Sequence, residues 1–498
     1  MSQPTHANAR KTLGGKRKLA LVDAIAQSVG FMGPVFSIAF LVPLLVGLNA
    51  SGKGAGAAAP LSVLIAAVGV LGLGWTVAQY ARRIHAAGSL YDYVSEGLGR
   101  RVGGAAGFLY YTGILVLGAA ILIMVSGTIY DTVDAEFGVQ PLPRLGWDLL
   151  LLVLVAIILY LGVALSTRAQ LVLAMVSLLV VLAFFIYVIV KVGSGNDVAT
   201  AFTPSSSSQG FNGVLFGVLY GVLLFTGFET SANLGEETAH PKRDIPRAVI
   251  MSVLAIAGFY IIGAYAQVAG YRFDLHLLGK NAGAPLFGLA GPVSDGGLGS
   301  VAVRRLVELV VILDMVAVLI GCSVAASRGL FAMARDRRLP HAMARVSRRG
   351  TPLAAAVVVA AFYLVVIVLT RAWDGLFAQA GLPHYVAMFS WGSTYGSFAL
   401  AIIYLLLSVG ALRGLRAHAA PWKVWLAGVI GIVVTGAAIF GSVYKVGAPI
   451  VWAPYAGLGV LVVGFALTWV YGKGRVDDAQ DAADPERELD ADLRSRTA

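Results

Sequence analysis

The chain has 498 residues, 58% of them hydrophobic and only 13% charged, with a formal net charge of +11. A soluble domain carries about 25% charged residues; here the charge sits in short clusters between apolar runs of about 20 residues, enough to cross a hydrocarbon core of about 30 Å, which excludes a globular fold with one aqueous surface. The positive excess reads as the cytoplasmic face of a membrane protein rather than as a nucleic-acid surface.

In chain order, residues 1–21 read as a basic cytoplasmic tail, and the apolar run after them is too long for a cleavable signal peptide. Twelve spans follow, at 22–48, 60–82, 102–130, 146–165, 169–192, 212–235, 246–270, 303–334, 353–370, 385–411, 423–445 and 452–472. Open strands cannot cross lipid with unpaired backbone groups, and these runs are too long for barrel strands, so the spans are expected to be helices. Basic residues alternate. Arg10, Lys11, Lys16, Arg17 and Lys18 precede span 1; Arg82, Arg83, Arg100 and Arg101 lie between spans 2 and 3; Lys242, Arg243 and Arg247 follow span 6. Arg335, Arg337, Arg338, Arg345, Arg348 and Arg349 follow span 8, and Arg413, Arg416 and Lys423 lie between spans 10 and 11. With twelve spans every such cluster falls on one side, which places both termini in the cytoplasm of a multi-pass protein of the cell membrane. Residues 475–498 read as a charged cytoplasmic tail, disordered or a frayed helix. The single cysteine, Cys322, lies within an apolar helix and reads as a small buried hydrophobe.

Two spans carry breaks. Span 1 contains Ser28-Val29-Gly30-Phe31-Met32-Gly33-Pro34, where proline removes a backbone donor and the glycines ease departure from helical geometry. Span 6 contains Phe225-Thr226-Gly227-Phe228-Glu229-Thr230-Ser231, with a carboxylate at mid-membrane depth. The two positions correspond if the first ten spans form two five-helix repeats, and interrupted helices at matching places point to a transporter's binding site. Unwinding frees N–H and C=O groups: half-helix N-termini suit a carboxylate, and free carbonyls suit an ammonium group or a cation.

Three stretches resemble the amino acid–polyamine–organocation superfamily. One is Gly227-Phe228-Glu229 followed by Glu236-Glu237-Thr238-Ala239-His240-Pro241-Lys242-Arg243-Asp244-Ile245-Pro246-Arg247-Ala248. The others are Gly88-Ser89-Leu90-Tyr91-Asp92-Tyr93 and Ser327-Arg328-Gly329-Leu330-Phe331-Ala332-Met333-Ala334-Arg335-Asp336. The resemblance implies an all-α membrane fold of about 12 helices. Its transport core, 22–411, would be two inverted repeats (22–192 and 212–411), with accessory helices within 412–474 and discontinuous helices 1 and 6. It also implies alternating access to a site between helices 1, 3, 6, 8 and 10. The chain departs from the family in two places. Many members have Gly-x-Gly in helix 1, whereas here Gly30 and Gly33 are separated by Phe31-Met32. Some proton-coupled members carry a lysine in helix 5, where this chain has Ser177, so a lysine switch is not expected.

The candidate substrate-binding residues are Ser28, Val29, Gly30, Phe31, Met32, Gly33, Tyr111, Phe225, Thr226, Gly227, Phe228, Ser390 and Ser393. Phe225 and Phe228 are placed to close over a substrate or hold a cationic end by cation–π attraction. Glu229 reads as a proton carrier, a contact to an amine, or a clasp between half-helices. Asp314 in span 8 has no sequence-local partner and reads as a coupling or gating acid, or as one end of a helix–helix hydrogen bond, whereas Arg304 and Glu308 form an i, i+4 pair. Ser323 and Ser327 share a helix face and offer oxygens to sodium, or to their own helix carbonyls. Glu236 and Glu237 sit where the helix dipole disfavours negative charge, which calls for basic partners, from the N-terminal tail or beyond span 8, as a gate latch.

The leading expectation is a secondary transporter, symporter or antiporter, for amino acids or related amines, with H+ or Na+ as the possible coupling ion and no cofactor or bound metal. Alternatives are a polyamine-specific carrier and a binding-only sensor. There is no HExxH, no GxSxG and no phosphate loop to support an enzyme or a primary pump.

Overall fold

The computed structural model describes residues 19–48, 54–84, 88–161, 163–280, 284–347, 350–373, 375–379, 381–417, 419–444 and 446–470. The C-terminal tail and most of the N-terminal tail, including Arg10, Lys11, Lys16, Arg17 and Lys18, lie outside the described residues, as do Arg348 and Arg349. The described residues are almost wholly helical, with two isolated bridges and no extended strand.

The helices are α1 (Leu21–Met32), α2 (Pro34–Val46), α3 (Ala59–Ala81), α4 (Leu90–Leu98), α5 (Arg100–Phe137), α6 (Arg144–Leu161) and α7 (Val163–Val192). Then come α8 (Phe211–Leu224), α9 (Pro241–Gly270), α10 (Val301–Arg335), α11 (Leu353–Ala372), α12 (His384–Gly414), α13 (Pro421–Val443) and α14 (Trp452–Val470). Short helices at Val198–Ala201, Leu275–Gly279 and Pro285–Ala290 lie in the connections between spans. Local chemistry sets several starts. Proline leads α2, α9 and α13, where its missing N–H removes no helical bond. The Ser300 side chain accepts the Val303 N–H at the start of α10.

Among the described residues eleven helical segments are long and apolar enough to cross a membrane, counting α1–α2 as one. The span expected at 212–235 is the exception: α8 is too short alone, and the chain continues through an irregular turn into a 3-10 helix at Thr230–Leu234. Both expected breaks are present. In span 1 the break falls at Gly33 (φ +51°), while Ser28, Gly30 and Phe31 remain within α1. In span 6 it centres on Gly227 (φ +111°). At both points the left-handed backbone favours glycine.

The broken first span is the centre of the bundle. Its most apolar stretch is 100% buried, against 22% for α6 and 28% for α14, so the outer helices meet lipid instead. Leu150, Val153 and Ile157 on α6, Val357 and Val365 on α11, and Val462 on α14 form an exposed apolar belt, the surface expected of a membrane protein. Trp422, Trp452 and Trp469, near helix ends, are exposed, as in the aromatic girdles of membrane interfaces. Helix α10 packs against α1, α2, α5 and α7, and α12 packs against α5, so spans 3, 8 and 10 surround the two breaks.

The basic helix ends gather at one end of the bundle. Arg338 donates to the Arg100 carbonyl (2.9 Å), Arg83 donates to the Gly414 carbonyl (3.4 Å), and Arg335 pairs with Glu236 (2.9 Å). At the opposite end Arg371 pairs with the buried Asp148 (2.5 Å), Arg144 with Asp131 (2.9 Å) and Arg305 with Glu136.

Candidate functional site

The two breaks meet through Ser28. Its Oγ donates to the Phe228 carbonyl (2.8 Å) and accepts the Ser231 N–H (3.2 Å), so one hydroxyl satisfies two backbone groups freed by the unwound span 6. Thr230 Oγ1 donates to the Gly227 carbonyl (2.7 Å) and makes a longer bond to the Gln27 carbonyl (3.4 Å). The Phe31 side chain fills the space where a Cβ on Gly227 would stand, and it lies against Gly321 of α10. Glycine at 227 is therefore required twice, by its φ and by this close approach. Phe225 caps α8 and packs edge-on against Tyr260 of α9 (5.1 Å between centroids), and the Phe228 ring meets Tyr404 of α12 (5.6 Å). Val29 accepts the Gly33 N–H that closes α1, and the Met32 carbonyl accepts from Ser37 Oγ (2.7 Å). Thr226 is buried in the turn, its N–H donating to the Leu223 carbonyl.

A carboxylate attends each break. Glu229 is fully buried: Oε2 accepts the Gly227 N–H (3.1 Å) and the Tyr404 hydroxyl (2.9 Å), and Oε1 accepts the Tyr110 hydroxyl (3.2 Å). It thus ties span 6 to spans 3 and 10. Asp314, also fully buried, reaches from α10 to the start of α2, where Oδ2 accepts the N–H groups of Val35 (2.9 Å) and Phe36 (2.8 Å). This is the partner that sequence-local reasoning could not find, because it lies 279 residues away.

Several candidates fall elsewhere. Tyr111 turns away from the breaks to donate to the Gly88 carbonyl (2.9 Å), and its neighbour Tyr110 is the one that reaches Glu229. Adjacent tyrosines on one helix point about 100° apart, and only packing decides which faces the centre. Ser323 and Ser327 donate to their own helix, at the carbonyls of Leu319 (2.6 Å) and Val324 (2.9 Å). Ser393 donates to the Ser390 carbonyl (3.1 Å), while Ser390 Oγ is buried with no partner among the described residues. Ser177 bonds the Val310 carbonyl of α10 (2.7 Å). Tyr110, Tyr404 and Tyr260 line the centre and were not singled out from sequence; their only signal was a polar atom on an otherwise apolar span. Among the described residues no group of three or more His, Cys, Asp or Glu gathers to hold a metal ion.

At the basic end the acidic pair finds its partners on α10. Glu237 pairs with Arg328 (2.6 Å), both largely buried, and Glu236 pairs with Arg335 (2.9 Å). The backbone joins the same region: Leu19 N donates to the Glu237 carbonyl, and Ala239 N donates to the Leu19 carbonyl, both at 2.9 Å. Next to these pairs lies Asp92 of α4. Burial, reinforced by Asp336 and Glu236 and opposed by Arg335, pushes its carboxyl up to about 8. Burial also raises Asp336, against the pull of Arg335.

A family model described as amino acid permease matches residues 28–476. The chain is 28% identical over 454 residues to an uncharacterized transporter of Mycobacterium tuberculosis, covering 89% of this chain and 91% of that one. It is 23% identical over 378 residues to a branched-chain amino acid permease of Bacillus subtilis, covering 68% and 76%. In fold it is similar to the crystal structure of an Eremococcus coleocola manganese transporter, with TM-score 0.54 and 12% identity over 94% of this chain and 98% of that one. At that identity the likeness speaks for the fold alone.

Proposed function

Since this chain belongs to the amino acid permease family and is a multi-pass membrane protein and secondary transporter of amino acids or related amines, we propose that it works by alternating access to a site at the junction of its two broken spans. The observation that carries this reading is the Ser28 hydroxyl, which links the Phe228 carbonyl and the Ser231 N–H across the two breaks. A substrate seated there touches both half-helix pairs at once, so its binding biases their relative position. Spans 1 and 6 occupy matching places in two five-helix repeats, 22–192 and 212–411, with α13 and α14 as accessory helices.

The basic end is the cytoplasmic end, by the rule that positive loops face the cytoplasm. The Glu237–Arg328 and Glu236–Arg335 pairs are the latch of its gate. The first pair is almost fully buried, so opening it must rehydrate two charges, which makes it a better latch than an exposed pair. Of the two coupling ions we favour the proton, carried by Glu229, the fully buried carboxylate that ties the second break to spans 3 and 10.

Uptake by the purified chain in proteoliposomes tests this. Accumulation of a labelled amino acid or amine, driven by an inward proton gradient and indifferent to sodium, is the expected result. Specific binding without flux would overturn the transport mechanism, and a sodium requirement would overturn the assignment to Glu229.

A further inference from the structure

We propose that Asp314 takes the place of a substrate carboxylate, so that the central site selects organic amines that carry no α-carboxylate. The inference rests on reading the two breaks as the substrate site, and it narrows what that site accepts.

The start of α2 is the half-helix N-terminus that a substrate carboxylate would be expected to use. Its donors can be counted. Pro34 has no N–H. Ser37 N already bonds the Gly33 carbonyl (2.8 Å). The remaining two, Val35 and Phe36, both donate to Asp314 Oδ2, at 2.9 and 2.8 Å. The terminus therefore has no donor left for a second carboxylate, and the anion it holds is part of the chain. A tethered carboxylate competes at a high effective concentration, and a free one approaching the same amides meets a like charge in a dehydrated setting.

The other oxygen points to what the site lacks. Asp314 is fully buried, and its Oδ1 has no partner among the described residues. No Lys, Arg or His among them forms an ion pair with it; the groups that bear on the carboxylate are the two amides and, from α9, Tyr260. Glu229 differs, since both its oxygens accept donors from the protein. An intramembrane acid beside the first break without a cation of its own is matched by a cationic ligand, and an ammonium group supplies both the charge and the missing donor at Oδ1. Aromatic rings stand nearby: Phe36 pairs with Phe389 (5.1 Å between centroids) and Phe225 with Tyr260 (5.1 Å). They suit the apolar stem of an amine and add cation–π attraction to its head.

Matched pairs that differ only in the carboxylate test the assignment: agmatine with arginine, cadaverine with lysine, isoamylamine with leucine and phenethylamine with phenylalanine. The purified full-length chain is assayed by thermal shift and by uptake into proteoliposomes. In at least one pair the amine is expected to stabilise the protein and be accumulated, with the parent amino acid bound at least tenfold more weakly. Asp314→Asn is expected to weaken amine binding at least tenfold. Parent amino acids that bind as tightly as their amines, or amine affinity unchanged in Asp314→Asn, would overturn the proposal. If that variant does not fold, the matched pairs on the unaltered chain still decide. Flux confined to amino acids refutes the Asp314 assignment and leaves the transporter reading standing, whereas no flux of any member refutes both.

Discussion

Gly33→Ala perturbs the first break at its hinge. Two costs can be worked from the structure. Gly33 has φ +51°, and an L-residue held in that left-handed region costs about 1–2 kcal/mol. The added Cβ would also overlap a methyl of Val318 on α10 and sit 3.2 Å from the Val318 Cβ, so rotating the valine relieves only part of the contact. Overpacking of this kind costs about 1–3 kcal/mol. Together the variant should lose about 2–5 kcal/mol, measured by denaturant unfolding of the purified protein in mixed micelles, and its uptake should fall in parallel. A double-mutant cycle separates the two costs: Val318→Ala should restore the packing part and leave the backbone part, a coupling of about 1–3 kcal/mol. Native stability in Gly33→Ala, or no coupling to Val318, would refute the placement of the hinge.

Ser28→Ala leaves the Phe228 carbonyl and the Ser231 N–H without their shared partner; the expected cost is about 1–3 kcal/mol with a marked loss of uptake, and a variant with native flux would show that the two breaks are not coupled through this hydroxyl. Glu237→Gln leaves Arg328 charged and unpaired in a largely buried site, which should destabilise by about 3–5 kcal/mol; Glu237→Gln combined with Arg328→Met should be less harmful than Glu237→Gln alone, and unfolding curves that rank them otherwise refute the latch. Asp92 titrates near 8 in the folded protein and near the ordinary carboxylate value when unfolded, so its contribution to stability is fully present in acid and is lost as the pH rises through about 8. Asp92→Asn should therefore flatten the decline of unfolding temperature between about pH 4 and 8, and an unaltered slope rules out Asp92 as its source.

Much of this architecture was legible in the chain itself, because lipid imposes a simple rule: apolar length gives the spans, and basic loops give their alternation. Among the described residues eleven of the twelve expected spans are long apolar helical segments, and the twelfth, span 6, is the one interrupted at Gly227. The breaks were readable too, since glycine and proline act through local backbone geometry. The Arg304–Glu308 pair (3.2 Å) followed from helical spacing alone. What the chain could not disclose is which distant atom answers each freed backbone group. Asp314 on the amides of Val35 and Phe36, Tyr110 rather than Tyr111 on Glu229, and Arg328 against Glu237 all depend on helix rotation and interhelical packing. Those contacts are set by the tertiary fold, because hydrogen-bond partners at membrane depth are chosen by proximity across helices and not by order along the chain. Sequence therefore determined that two spans break and where; the packing of α10 against them decided that one break already holds a carboxylate of its own.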